Sequence, residues 1–164
     1  MQEAMKMHSR FQPDDFGDHG LRHEVNVFVY RDSSDGLEYL LLRPQPSADS
    51  LWRPVVRVIQ FHQDLRQAAV TAVRDEIGLA NPFDLHCPAL GIEEDVGDLH
   101  LVGWPVGFRL RKSSMAIPKR GVARTGDAKQ VAQVGWMDFQ TALHALGLSQ
   151  HRQNLLQLHW QLAA

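Results

Sequence analysis

One domain of mixed α and β structure is what this sequence predicts, and three observations predict it. Short runs rich in β-branched and aromatic residues recur, as at 25–30 (VNVFVY), 39–42 (YLLL) and 131–136 (VAQVGW), and read as strands. One stretch, 65–77, carries apolar residues at helical spacing with start and stop signals at its ends. The chain closes on two further helix-forming segments that begin near Asp138 and Ser149. At 164 residues, 44% hydrophobic and 22% charged, the chain is long enough for one real core.

Residues 1–24 are polar and mixed, with an acidic cluster at Asp14, Asp15 and Asp18, and read as an N-terminal arm ahead of a domain over 25–164. His19 and His23 have a metal-capable spacing, but Gly20 lies between them and no third ligand is near. After the first strand, Asp35-Gly36 is a hairpin signal. The returning YLLL run is continuously apolar, which predicts burial on both faces. A Pro- and Ser-containing loop over 43–50 leads to an extended piece at 52–59.

Next comes the helix. Asp64 is an N-cap residue and Gln67, three positions on, completes a capping box. Leu65, Ala68, Ala69, Ala72, Val73 and Ile77 make one apolar stripe, and Gly78 is the left-handed stop. Asp75 and Glu76 occupy the last turn, where the helix dipole favours cations. They are either two solvated carboxylates or a cation site.

Beyond the helix the reading is a loop at 81–88, a short apolar piece at 89–92, an acidic turn at Glu93, Glu94, Asp95 and Asp98, and a long strand at 99–110. Pro105 should confine its position to an edge or a bulge. No acidic residue occurs from Leu99 to Gly126, while Arg109, Arg111, Lys112, Lys119, Arg120 and Arg124 do, in a segment that reads as a loop. Asp138 then caps a helix over 139–146 ended by Gly147, and Ser149 caps the closing one.

The stretch 52–79 resembles the Nudix box, Gly-x5-Glu-x7-Arg-Glu-U-x-Glu-Glu-x-Gly-U, with U a bulky apolar residue. Val73, Asp75, Glu76, Gly78 and Leu79 fix the register. Trp52 and Pro54 stand where many members carry these residues, and Trp136-Met137-Asp138 resembles the step before the closing helices. The departures are Arg57 for the opening glycine, Gln63 for the first glutamate, and Thr71-Ala72 for Arg-Glu; Asp75 is shortened. The resemblance implies a Nudix-like α/β/α sandwich with a mixed sheet. It also implies hydrolysis of nucleoside diphosphate derivatives with Mg²⁺ or Mn²⁺, for which this box has lost two of the four carboxylates.

Three functions follow. The favoured one is a protein with a degenerate box that binds a nucleotide-like or phosphorylated ligand with little or no hydrolysis, without a cofactor. The candidate ligand contacts are Arg57, Arg109, Arg111 and Lys112. The second is a divergent pyrophosphohydrolase using Mg²⁺ or Mn²⁺ on Asp75 and Glu76, the residual catalytic and metal candidates. The third is a non-catalytic interaction protein that forms a homodimer.

A net charge of -2 carries no nucleic-acid signal, and no apolar run approaches the roughly 20 residues of a membrane span. The single cysteine fits a reducing, cytoplasmic setting. Cys87 adjoins His86, but neighbours on an extended chain point apart, so the pair does not read as a nucleophile and base.

Overall fold

The structure, a computed structural model, describes residues 6–8, 20–44, 51–60, 62–88, 90–111 and 131–163. Its elements in order are β1 (Lys6–His8), β2 (Leu21–Ser33), β3 (Gly36–Pro44), β4 (Val55–Val58), α1 (Leu65–Ile77), β5 (Asp84–His86), β6 (Gly91–Val96), β7 (Leu99–Arg109), β8 (Val131–Asp138), α2 (Phe139–Ala145) and α3 (Ser149–Leu162).

The sheet runs β1-β6-β7-β2-β3-β8. Its centre is a parallel pair, β2 and β7, aligned from Leu21 with His100 to Tyr30 with Arg109. Each central strand has two antiparallel partners on its outer side, one per half. β4 takes β2 at Glu24–Val27 and β3 takes it from Val29. β6 takes β7 up to Gly103 and β5 takes it from Gly107. The sheet is therefore mixed and splayed, with a forked end on each side.

Side chains alternate across the central strands and so divide the core in two. Val25, Val27 and Val29 of β2 and Val102, Trp104, Val106 and Phe108 of β7 pack with Ala68, Ala69, Ala72, Val73 and Ile77 of α1. Phe28 and Tyr30 point the other way and pack with Ala142, Leu146, Leu155 and Leu158. The expected sandwich of helices about a mixed sheet is the observed one. Tyr39, Leu40, Leu41 and Leu42 are all buried, as their unbroken apolar run predicts.

Four local expectations need correction. β2 begins at Leu21, and Lys6–His8 pairs with β6, so residues 1–24 are not wholly an arm outside the sheet. Glu93, Glu94 and Asp95 lie within β6, and only Gly97 and Asp98 form the turn; pairing with β7 overrides their low strand propensity. Pro105 lies at the sheet centre, in the gap between the partners of β7, where one flank has no ladder that needs its N–H. Ser149 does not cap α3: Leu148 is the N-cap residue and the Ser149 hydroxyl donates to Glu94 Oε1 at 3.0 Å.

His19 and the basic segment from Lys112 to Gly126 lie outside the described residues. His23 is buried in β2 and accepts at Nδ1 from the Trp104 indole at 3.0 Å, which makes it a core residue. No helix among the described residues is long and apolar enough to cross a membrane.

Candidate functional site

α1 presents the candidate carboxylates. Its start is fixed by the Asp64–Gln67 capping box, in which Asp64 Oδ1 accepts from Gln67 N–H at 2.7 Å and Gln67 Oε1 accepts from Asp64 N–H at 3.2 Å. Its end is fixed by Gly78, at φ 74°, whose N–H donates to Arg74 C=O. Between these stops the apolar stripe buries one side, which leaves Arg74, Asp75 and Glu76 turned toward β4 and solvent.

Two arginines on the approach to α1 meet those carboxylates. Arg53 pairs by its backbone with Leu42, and Arg57 pairs with Val25. Positions 53, 55 and 57 share one side of an extended chain, and Val55 on that side is in the α1 core. Arg53 Nη2 donates to Glu76 Oε1 at 2.5 Å, while its Nη1 donates to Pro54 C=O at 2.9 Å. Arg57 Nη1 donates to Asp75 Oδ2 at 2.7 Å. Arg74 adds a longer contact to Asp75 Oδ1, at 3.4 Å. The Arg57 hydrogen bond, reinforced by its charge and by Arg74, holds the Asp75 carboxyl below its ordinary range.

The other box positions have local duties. Gln63 Oε1 accepts from the Gln60 N–H at 3.0 Å, so this side chain closes the turn ahead of the helix. Ala72 is in the core. A Mg²⁺ or Mn²⁺ site wants about six oxygens near octahedral positions. This donor set does not fit one: each remaining carboxylate is held by a guanidinium, and position 72 supplies no oxygen. Among the described residues no group of three or more histidine, cysteine, aspartate or glutamate side chains is placed to hold a metal. Three guanidinium groups face two carboxylates, so the cluster carries a net positive charge.

The other predicted cations are elsewhere. Arg109 aligns with Tyr30 and Arg57 with Val25, which puts them about 16 Å apart along β2 at the usual strand rise. They also face opposite layers, since Val25 belongs to the α1 core and Tyr30 to the α2–α3 core. Arg109 is committed to Asp32, and both Arg109 and Arg111 lie over the Phe83 ring, 5.2 and 5.8 Å from its centroid. Arg57, Arg109 and Arg111 therefore form no common site, and Lys112 lies outside the described residues. Arg53 is the residue that sequence reasoning missed. Its signal was present: two arginines four apart on an extended strand share a face, opposite two adjacent acids at a helix end.

Cys87 is half-buried, and burial raises its thiol above the ordinary range, which suits a packing residue rather than a nucleophile. A cleft of about 570 Å³ opens at the far end of the β2–β3 hairpin, lined by Asp32, Asp35, Asp138, Phe139 and His159 among others.

No protein-family profile and no curated protein matches this sequence. Solved structures do match the fold. The E. coli dihydroneopterin triphosphate pyrophosphohydrolase superposes with a TM-score of 0.65 at 15% identity, over 94% of this chain and 99% of that one. The NUDIX domain of Shewanella oneidensis NrtR complexed with ADP ribose gives 0.63 at 15%, over 93% and 94%. A C. elegans Ap4A hydrolase binary complex gives 0.61 at 14%, over 87% and 98%. The fold of this chain is the Nudix fold.

Proposed function

We propose that this chain binds a nucleotide-like or phosphorylated ligand at the arginine-bearing end of α1 and hydrolyses it little or not at all. One observation carries the reading: both carboxylates that the box retains are engaged by guanidinium groups, Asp75 by Arg57 and Glu76 by Arg53. The residue in place of the box glycine is the one that occupies the box aspartate. Metal-assisted hydrolysis needs a cation to gather the phosphates and to activate water. Arginine does the first by charged, directional hydrogen bonds and cannot do the second. The fold alone does not decide between binding and turnover. That one structural neighbour is described in complex with ADP ribose makes a nucleotide sugar the first ligand to try.

The test is a panel of ADP ribose, diadenosine tetraphosphate and inorganic pyrophosphate, followed by thermal shift and by phosphate release, in EDTA and in millimolar Mg²⁺. The expected result is stabilisation that EDTA leaves unchanged, with no release. Arg57→Ala should weaken binding by roughly 1–3 kcal/mol, the worth of a charged hydrogen bond. Mg²⁺-dependent turnover that Asp75→Asn abolishes would establish the hydrolase reading instead. A chain that dimerises and responds to none of the three ligands would favour the interaction reading.

A further inference from the structure

Where α3 crosses the two central strands, the packing between helix and sheet turns polar. Asn26 of β2 and Gln150 and Asn154 of α3 are almost wholly buried, at 0, 1 and 0% exposure. Gln150 and Asn154 are four residues apart and share one side of the helix. Gln150 Nε2 donates to the carbonyls of Ile92 at 3.0 Å and Leu101 at 3.2 Å, and Asn154 Nδ2 donates to that of Gly103 at 3.0 Å. These bonds fix both amides, because a flipped amide would set oxygen against oxygen. Among the described residues, Gln150 Oε1 and Asn154 Oδ1 are left without a protein partner, as are both Oδ1 and Nδ2 of Asn26.

Gly103 is the common neighbour. A methyl group in place of its hydrogen would lie 2.6 Å from Asn26 Nδ2 and 2.6 Å from Gln150 Oε1. Only glycine at this position lets the strand amide and the helix amide approach each other. The cluster offers three acceptor oxygens and one NH₂ donor, with acceptors in excess. A water molecule has two donors and two acceptors, so one can serve the NH₂ and two of the three oxygens. A cation would gain three neutral oxygens but no negative charge to offset its burial.

We propose that this cluster binds one structural water, which donates to two of the three amide oxygens and accepts from Asn26 Nδ2, and so joins β2 to α3. The site lies on the opposite sheet face from Arg57 and Asp75, and stands whether or not the chain binds phosphate.

The wild-type chain carries the test. A high-resolution crystal structure should show a fully occupied water in hydrogen-bonding contact with Asn26 and with Gln150 or Asn154. Water-selective NMR should show a long-lived water near the Asn26 side-chain amide protons. Gly103→Ala, which intrudes on the cluster without removing an amide, should lower Tm by at least about 3 °C and abolish that water signal. A direct Asn26 Nδ2–Gln150 Oε1 hydrogen bond with no water peak would overturn the proposal, as would absence of the NMR signal in the wild type. Neither reading depends on the variant folding.

Discussion

Arg57 Nη1 donates to Asp75 Oδ2 at 2.7 Å, and so joins the opening position of the motif to the first of its paired acids, where glycine and glutamate are the pattern. Beside it Arg53 repeats the arrangement on Glu76. The pairs differ in shelter: the carboxylate side chain is 37% exposed in Asp75 and 18% in Glu76. The outer pair is worth less than about 1 kcal/mol, while removal of Arg53 strands a more sheltered charge and costs about 1–3 kcal/mol.

The two arginines also hold the carboxylates away from metal. In Arg53→Gln/Arg57→Gln, Glu76 is released and Asp75 keeps only its longer contact with Arg74. Millimolar Mg²⁺ should raise the Tm of that double variant and leave the wild type unmoved. Equal Mg²⁺ responses in the two proteins would show that the guanidinium groups do not control the acids.

Restoring the glutamate at position 72 should fail to repair the box. Ala72 is 1% exposed and packs between α1 and the sheet, so Ala72→Glu places a carboxylate in the core. Burying an unpaired acid there should destabilise the chain by roughly 3 kcal/mol or more. Urea unfolding would read this directly, and a near-neutral effect would mean that α1 can turn this position to solvent.

His151 should give the chain an acid-sensitive stability. It is 4% exposed, and burial first, then Arg53 and Arg152, push its pKa down from 6.5 to about 4. The native state therefore refuses a proton that the unfolded chain accepts. This contribution is full above pH 6.5 and is lost as pH falls toward 4, a decline of about 3 kcal/mol from this group. Urea unfolding across that window should show the slope in the wild type. A His151→Met variant, which has no proton to take up, should lack this component.

What could be read in the sequence followed from how local each feature is. α1 was legible to the residue at both ends, because Asp64, Gln67 and Gly78 act on backbone groups within four positions of themselves. The buried YLLL run was legible because no polar residue interrupts it. Pro105 and Glu93–Asp95 were not: whether a proline needs its N–H, or acids join a ladder, depends on strands far away in the chain. At the site, the loss of carboxylates was plain from Gln63 and Ala72. Their replacement by guanidinium groups was only half visible, since it needs Arg53 and Arg57 on one side of a strand that faces the helix end. The separation of Arg109 and Arg111 from Arg57 was invisible, because it rests on the parallel register of β2 with β7.

That parallel register also sets a timetable. Val25 meets Trp104, a residue made about 80 positions later, so during synthesis β2, β3, β4 and α1 all emerge before the strand that completes their core. Until β7 leaves the ribosome, the inner edge of β2 has no partner and the apolar stripe of α1 is only partly covered. The domain thus assembles late and in one step, and pays a large loop-closure entropy to do so. A chain cut after Asp98 should show no cooperative unfolding and should engage chaperones or aggregate, although it contains the whole box. The motif most recognisable in the sequence is thus one that cannot stand until the second half of the protein has been made.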